Sequence, residues 1–212
     1  ADSVIETALH NPNMIVHTVG AVMSIPRIEA TGGDYCMYHE AFTPSAWKIL
    51  EALDQEKMNI LEHLGLEPVP YVEMCKYRNS LDDESDAKEV FFAYAAMPER
   101  AKGPTSVNSR YITEDIPQGL VLMESLGHVL DIPVPVCTSL IEIASAALGT
   151  DFRAGGRTLE RLGEENVQQI LKERKGEYRT CHSGMLLRKH GRWQRVSADS
   201  GEGLRCGIFW MP

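Results

Sequence analysis

Residues 43–66 read TPSAWKILEALDQEKMNILEHLGL, and this stretch decides the fold class. Thr43 is a good helix cap, and Pro44 suits the first helical turn, where its missing N–H costs nothing. Trp47, Leu50, Leu53, Asp54, Lys57, Ile60, Leu61 and Leu64 then recur at spacings of three and four. Polar residues fill the opposite face, and Gly65 closes the pattern. A long amphipathic helix with a start and a stop signal is the expectation.

The same period extends in both directions. Residues 4–9 and 12–24 predict helices, the second with Asn11 as cap and Pro12 in its first turn. Residues 28–38, IEATGGDYCMY, read as a turn or loop broken at Gly32-Gly33. Beyond the long helix, EPVPYVEM is an extended link into a short helix at about 72–78. A further helix spans about 85–97, its acidic start matching the positive end of the helix dipole. GPTSVNSRYITEDIP (103–117) is irregular and polar. Helical spacing then resumes, with Leu120, Met123, Leu126 and Leu130 facing inward, and again from Pro135 to Gly149. TLERLGEENVQQILKER gives one short helix and another to about Lys175. Strand patterns are absent before the tail, so residues 1–175 are expected to be all-α.

The tail differs. Residues 172–195 hold eight Lys and Arg against two Glu, a local +6, which leaves −15 for the rest of a chain whose net charge is −9. MLLRKHGRWQRVS alternates and turns at His190-Gly191, predicting a hairpin, and CGIFWMP could add a third strand. A solvated appendage with no part in chemistry is the preferred reading of this segment.

At 212 residues the chain suits one domain, or one domain with an appendage. Its acidity makes nucleic acid and anionic membranes poor partners. No apolar run reaches the length of a membrane span, and ADSVIETALH lacks the basic region of a signal peptide. Cys36, Cys75, Cys137, Cys181 and Cys206 are odd in number and scattered, which argues against a disulfide framework or a cysteine zinc site. A cytoplasmic protein without a metal is expected. The chain starts without Met, directly in a helical pattern, as a piece of a longer protein would.

Two places could carry chemistry. His17 lies in the apolar run of residues 14–23, and imidazole is the side chain whose ordinary pKa sits near neutrality. In SRYITEDIP, Arg110 and Asp115 stand five apart beside Glu114. The plain readings are a core histidine, a helix-capping Asp115 (Thr113 could also cap) and a surface ion pair for Arg110. The functional reading pairs Asp115 with His17 as a general acid/base and uses the Arg110 fork for a substrate carboxylate. By residue type alone the plain readings rank first. No G-x-G-x-x-G follows a strand, and no G-x-x-x-x-G-K-[ST] or H-E-x-x-H is present, so nothing here cradles a dinucleotide.

NPNMIVH, GRTLERLG and above all RYITEDIPQGLVLMESLGHVLDIPVP resemble the α-helical C-terminal domain of the octopine/nopaline (opine) dehydrogenase family. The resemblance covers residues 1–165. It rests on Asn13 with His17, Gly32-Gly33-Asp34, Arg110 with Asp115 in the R-[YF]-x-T-[ED]-D-[IV]-P block, and Gly156-Arg157-Thr158-Leu159-Glu160. It implies a helical bundle of the 6-phosphogluconate dehydrogenase-like type over 1–165, with 166–212 as a C-terminal helix and basic tail. It implies NAD or NADP as cofactor, with an amino acid and an α-keto acid as substrates joined by reductive condensation. It also implies a preceding Rossmann domain absent from this chain, which by itself would then be inactive. By position, His17 and Asp115 would be catalytic and Arg110 and Asn13 substrate-binding. Thr18 departs from the family, which commonly has Pro after the histidine. A homodimer is a further expectation, and a non-catalytic helical dimerisation or binding module is the competing reading.

Overall fold

The computed structural model describes residues 4–79, 84–97, 102–163, 165–166, 185–189 and 192–196. Among the described residues it is helical apart from two paired strands in the tail. Helix α1 (Val4–Leu9) leads into α2 (Asn13–Val22), α3 (Ile25–Ala30) and α4 (Met37–Glu40). The long α5 (Pro44–His63) is followed by α6 (Tyr71–Asn79) and α7 (Ala87–Ala95). A single turn, α8 (Arg110–Thr113), runs into a π-turn at Ile116–Leu120 and then α9 (Val121–Leu130). Helix α10 (Pro135–Leu148) and two short turns, α11 (Phe152–Gly155) and α12 (Leu159–Leu162), complete the body. No described helix is long and apolar enough to cross a membrane.

Helix α2 is the axle of the bundle. Its residues from Met14 through Val22 are all buried, the pattern of a helix surrounded on every side. It packs against α4, α5, α8, the π-turn and α10. Helix α2 runs unbroken through Thr18, whose hydroxyl donates to the Met14 carbonyl at 2.6 Å. Asn11 does cap, its side chain accepting from the Asn13 N–H at 3.1 Å.

Helix α5 begins and ends as its sequence predicts. Thr43 accepts from the Ala46 N–H, and Gly65 takes a left-handed φ of 66°. Trp47 and Phe42 meet Phe91 of α7 at ring separations of 5.1 and 5.3 Å, closing the core at this end. Three charged side chains of α5 are buried as well, and each has a structural partner. Lys57, only 1% exposed, pairs with Asp54 at 2.6 Å and donates to the Val69 carbonyl. Asp54 accepts from the Tyr71 N–H at 2.7 Å. Glu56 accepts from the N–H groups of Val136 and Cys137, 2.7 and 2.9 Å away, and so caps α10 from another helix.

Two readings need correction. Residues 28–38 are not wholly loop. Helix α3 starts at Ile25, with Pro26 in its first turn, and carries on to Ala30, and Met37 opens α4. Only the segment around Gly32 and Gly33, both at positive φ, is a true break, and a side chain on Gly33 would strike the Thr105 carbonyl. Residues 103–117 are likewise more ordered than their polarity suggests, since α8 and the start of the π-turn lie within them.

In the tail, Met185–Lys189 (β1) and Arg192–Val196 (β2) pair antiparallel, with Lys189 opposite Arg192, as the alternation predicts. The turn at His190-Gly191, the predicted third strand and most of the helix expected to reach Lys175 lie outside the described residues.

His10, just after α1, has its Nε2 buried with no hydrogen-bond partner among the described residues. Burial, with nearby Lys57 adding to it, pushes its pKa down to about 4. The folded chain therefore resists a proton that the unfolded chain accepts. Stability is lost as pH falls from about 6.5 to about 4. The shift corresponds to about 3 kcal/mol, and to about 2 kcal/mol once partial exposure of the ring is allowed for. His10→Gln cannot take the proton. Thermal unfolding of both proteins between pH 7 and pH 4 should show the variant gaining by that amount relative to the wild type. An unchanged gap across the range would refute the assignment.

Candidate active site

The site begins with a division of labour on one short segment. Residues 110–115 form a turn and a half in which positions four apart share a side. Arg110 and Glu114 face solvent and pair at 3.5 Å. Tyr111 and Asp115 face α2, and both reach His17. Asp115 Oδ2 lies 2.8 Å from His17 Nδ1, although the residues are 98 apart in sequence. The Tyr111 ring lies flat on the imidazole, with centroids 3.7 Å apart and planes 7° from parallel.

The capping role considered for Asp115 is not the one it takes. It occupies the residue before the π-turn with helical φ and ψ, and its side chain makes no cap hydrogen bond. The carboxylate goes to the histidine instead. His17 and Asp115 are 8% and 6% exposed, so the contact is shielded from water. An ionised carboxylate can only accept, so Nδ1 carries the hydrogen and Nε2 is left as the ring's free nitrogen. That arrangement suits proton transfer.

The other two predicted residues stand apart from this contact. Arg110 is 62% exposed at its side chain and takes the surface ion pair of the plain reading. Asn13 is half-buried, one turn before His17 on α2. Tyr111 is the participant that reading by residue type passes over. Its signals are an aromatic ring four positions before Asp115 and its place as the aromatic position of the R-[YF]-x-T-[ED]-D-[IV]-P block.

The GRTLERLG segment has a structural task here. Its Arg157 N–H donates to the Pro117 carbonyl at 2.8 Å, and its Leu159 N–H donates to the Ser125 hydroxyl. The π-turn bearing Asp115 at its start is thus braced from behind. From the front it lies close on α2, because Gly119 has no side chain: a Cβ there would sit 2.7 Å from the Cβ of Met14. Nearby, Arg153 forks Glu124 with Nε and Nη2 at 2.6 and 2.8 Å and reaches Glu142 with Nη1, joining α9, α10 and α11. The guanidinium holds the Glu124 carboxyl below its usual range. Among the described residues, no group of three or more His, Cys, Asp or Glu side chains is arranged to hold a metal.

With that geometry in hand, residues 1–148 match the family described as NAD/NADP octopine/nopaline dehydrogenase, alpha-helical domain. The chain is 32% identical over 164 residues to the opine dehydrogenase of Arthrobacter sp. (strain 1C), covering 76% of this chain and 44% of that protein. It is 30% identical to vitopine synthase of Allorhizobium ampelinum over 76% of this chain and 45% of that protein. It is 29% identical to Protein ocs of Agrobacterium tumefaciens over 78% and 46% respectively. The chain spans less than half the length of these relatives.

Proposed function

We propose, from the premise that this chain belongs to the NAD/NADP octopine/nopaline dehydrogenase family as its alpha-helical domain, that it is the substrate-binding and catalytic domain of an opine-type dehydrogenase. The reaction is the reductive condensation of an amino acid with an α-keto acid. The observation that carries this reading is the buried contact between His17 Nδ1 and Asp115. A module built only for packing or dimerisation has no use for an imidazole tied at one nitrogen with the other left to exchange a proton.

This chain's residues do not fit the dinucleotide. No strand leads into a glycine-rich turn that could cradle a pyrophosphate. The cofactor is therefore assigned mainly to a Rossmann domain preceding this segment. The complete enzyme is this chain joined to that domain. The reduced nicotinamide would supply the hydride, and the chain's own residues supply the rest.

The amino acid arrives as an ammonium ion, whose nitrogen has no free electron pair. His17 Nε2 takes one proton from it. The freed amine attacks the keto carbon, a C–N bond forms, and the carbonyl oxygen becomes a hydroxyl after proton transfer from the nitrogen. His17 returns its proton to that hydroxyl, which leaves as water, and the protonated imine remains for reduction. Asp115 keeps Nε2 as the working nitrogen and offsets the imidazolium charge while it lasts. Arg110, whose ion pair to Glu114 is long and solvent-exposed, is free to turn its two parallel N–H groups to a substrate carboxylate. Asn13 would add a contact from the same helix.

Steady-state assays of the complete enzyme test this reading, with variants at His17 and Arg110 side by side. Arg110→Lys keeps the charge and loses the fork, so it should raise the Michaelis constant of a carboxylate substrate by about tenfold with little change in turnover. Unchanged Michaelis constants for both substrates would remove Arg110 from the site.

A further inference from the structure

A histidine tied at one nitrogen still has freedom. The torsion about its Cβ–Cγ bond is broad, and the ring can rock about a single hydrogen bond. In this protein the second restraint is Tyr111. It comes from the same turn as Asp115, four residues earlier, and covers one whole face of the imidazole at 3.7 Å. Asp115 holds the ring's edge and Tyr111 its face, so the two restraints act in different directions. Helix α8 packs on α2, and Tyr111 is itself half-buried against the core, so its ring is held as well.

We infer that Tyr111 is a positioning residue for His17: its ring fixes the plane of the imidazole so that Nε2 meets the substrate in one orientation. The inference rests on the reading of His17 as the proton carrier. A second effect points the same way. An aromatic face attracts a cation, so the stack strengthens while the imidazole holds the proton it is carrying. Neither effect needs the phenol hydroxyl; both need a flat ring.

The test is steady-state kinetics of the complete enzyme with Tyr111→Leu, Tyr111→Phe and His17→Ala in one assay. Stacked aromatic pairs contribute free energies that convert to about 2- to 12-fold in the population of the stacked arrangement. Tyr111→Leu should lower turnover by about that factor and leave the Michaelis constants of both substrates and NADH unchanged within error. Tyr111→Phe should match the wild type. If Tyr111→Leu lowers the melting temperature by more than about 5 °C, Tyr111→Met replaces it, filling the space without a flat ring. The inference is overturned if Tyr111→Leu turns over like the wild type, if Tyr111→Phe falls with it, or if the loss lies wholly in the Michaelis constants. His17→Ala separates the two claims. If it lowers turnover while Tyr111→Leu does not, only the role of Tyr111 is lost. If His17→Ala itself keeps wild-type turnover, the reading beneath both is lost.

Discussion

His17→Ala in the complete enzyme is expected to lower turnover by about 10²–10⁴, the usual cost of removing a positioned acid/base. NADH affinity should not change, because the dinucleotide is assigned mainly to another domain. The substitution has a second consequence in the fold. It leaves the Asp115 carboxylate, 6% exposed, without the hydrogen-bond donor it has in the wild type. That should destabilise the chain by about 1–3 kcal/mol. His17→Asn separates the effects, since an amide can still donate to Asp115 but cannot shuttle a proton. It should lose turnover as His17→Ala does while retaining more of the melting temperature. Near-wild-type turnover of His17→Ala at saturating substrates would make His17 a core histidine and end the catalytic assignment.

Asp54→Ala should destabilise the fold strongly. Asp54 answers the charge of Lys57 and also accepts from the Tyr71 N–H, so the pair ties α5 to the start of α6. Burial already disfavours the Lys57 ammonium and lowers its pKa. Without the carboxylate, that charge is stranded in the core. Breaking a buried pair on one side costs about 3–5 kcal/mol, which for a chain of this size is a fall of about 10 °C in melting temperature. Replacing both partners should cost much less than the single change. The double variant Asp54→Ala with Lys57→Met is therefore expected to recover part of the loss. A melting temperature for Asp54→Ala within about 2 °C of the wild type would mean that the pair contributes little.

The legibility of this fold followed the physics of each signal. Helices α2, α5 and α10 are readable because caps, proline placement and the 3.6-residue period are local properties of the chain. The period of α5 even put Asp54 and Lys57 on the inward stripe. It could not reveal Glu56, whose two hydrogen bonds are to residues 80 and 81 positions away. The π-turn was hidden for a related reason: nothing local in IPQGL separates a wide turn from an ordinary helical one until α2 is laid against Gly119.

The sequence by itself determined the helical class, the long helix, the family and the identity of four candidate residues. Those follow from local period and from motif. Only the tertiary structure decided what each polar group does. Asp115 could cap its own helix or reach across the bundle, and both are good uses of a carboxylate at that position. The choice depends on α2 lying within contact of residues 110–120, which a bare glycine at 119 permits and the GRTLERLG segment braces. The same packing turns Tyr111 onto the imidazole and leaves Arg110 in water, though the two are neighbours in sequence. Spacing along the chain fixes which side chains share a face, while the packing of separate helices fixes what that face meets.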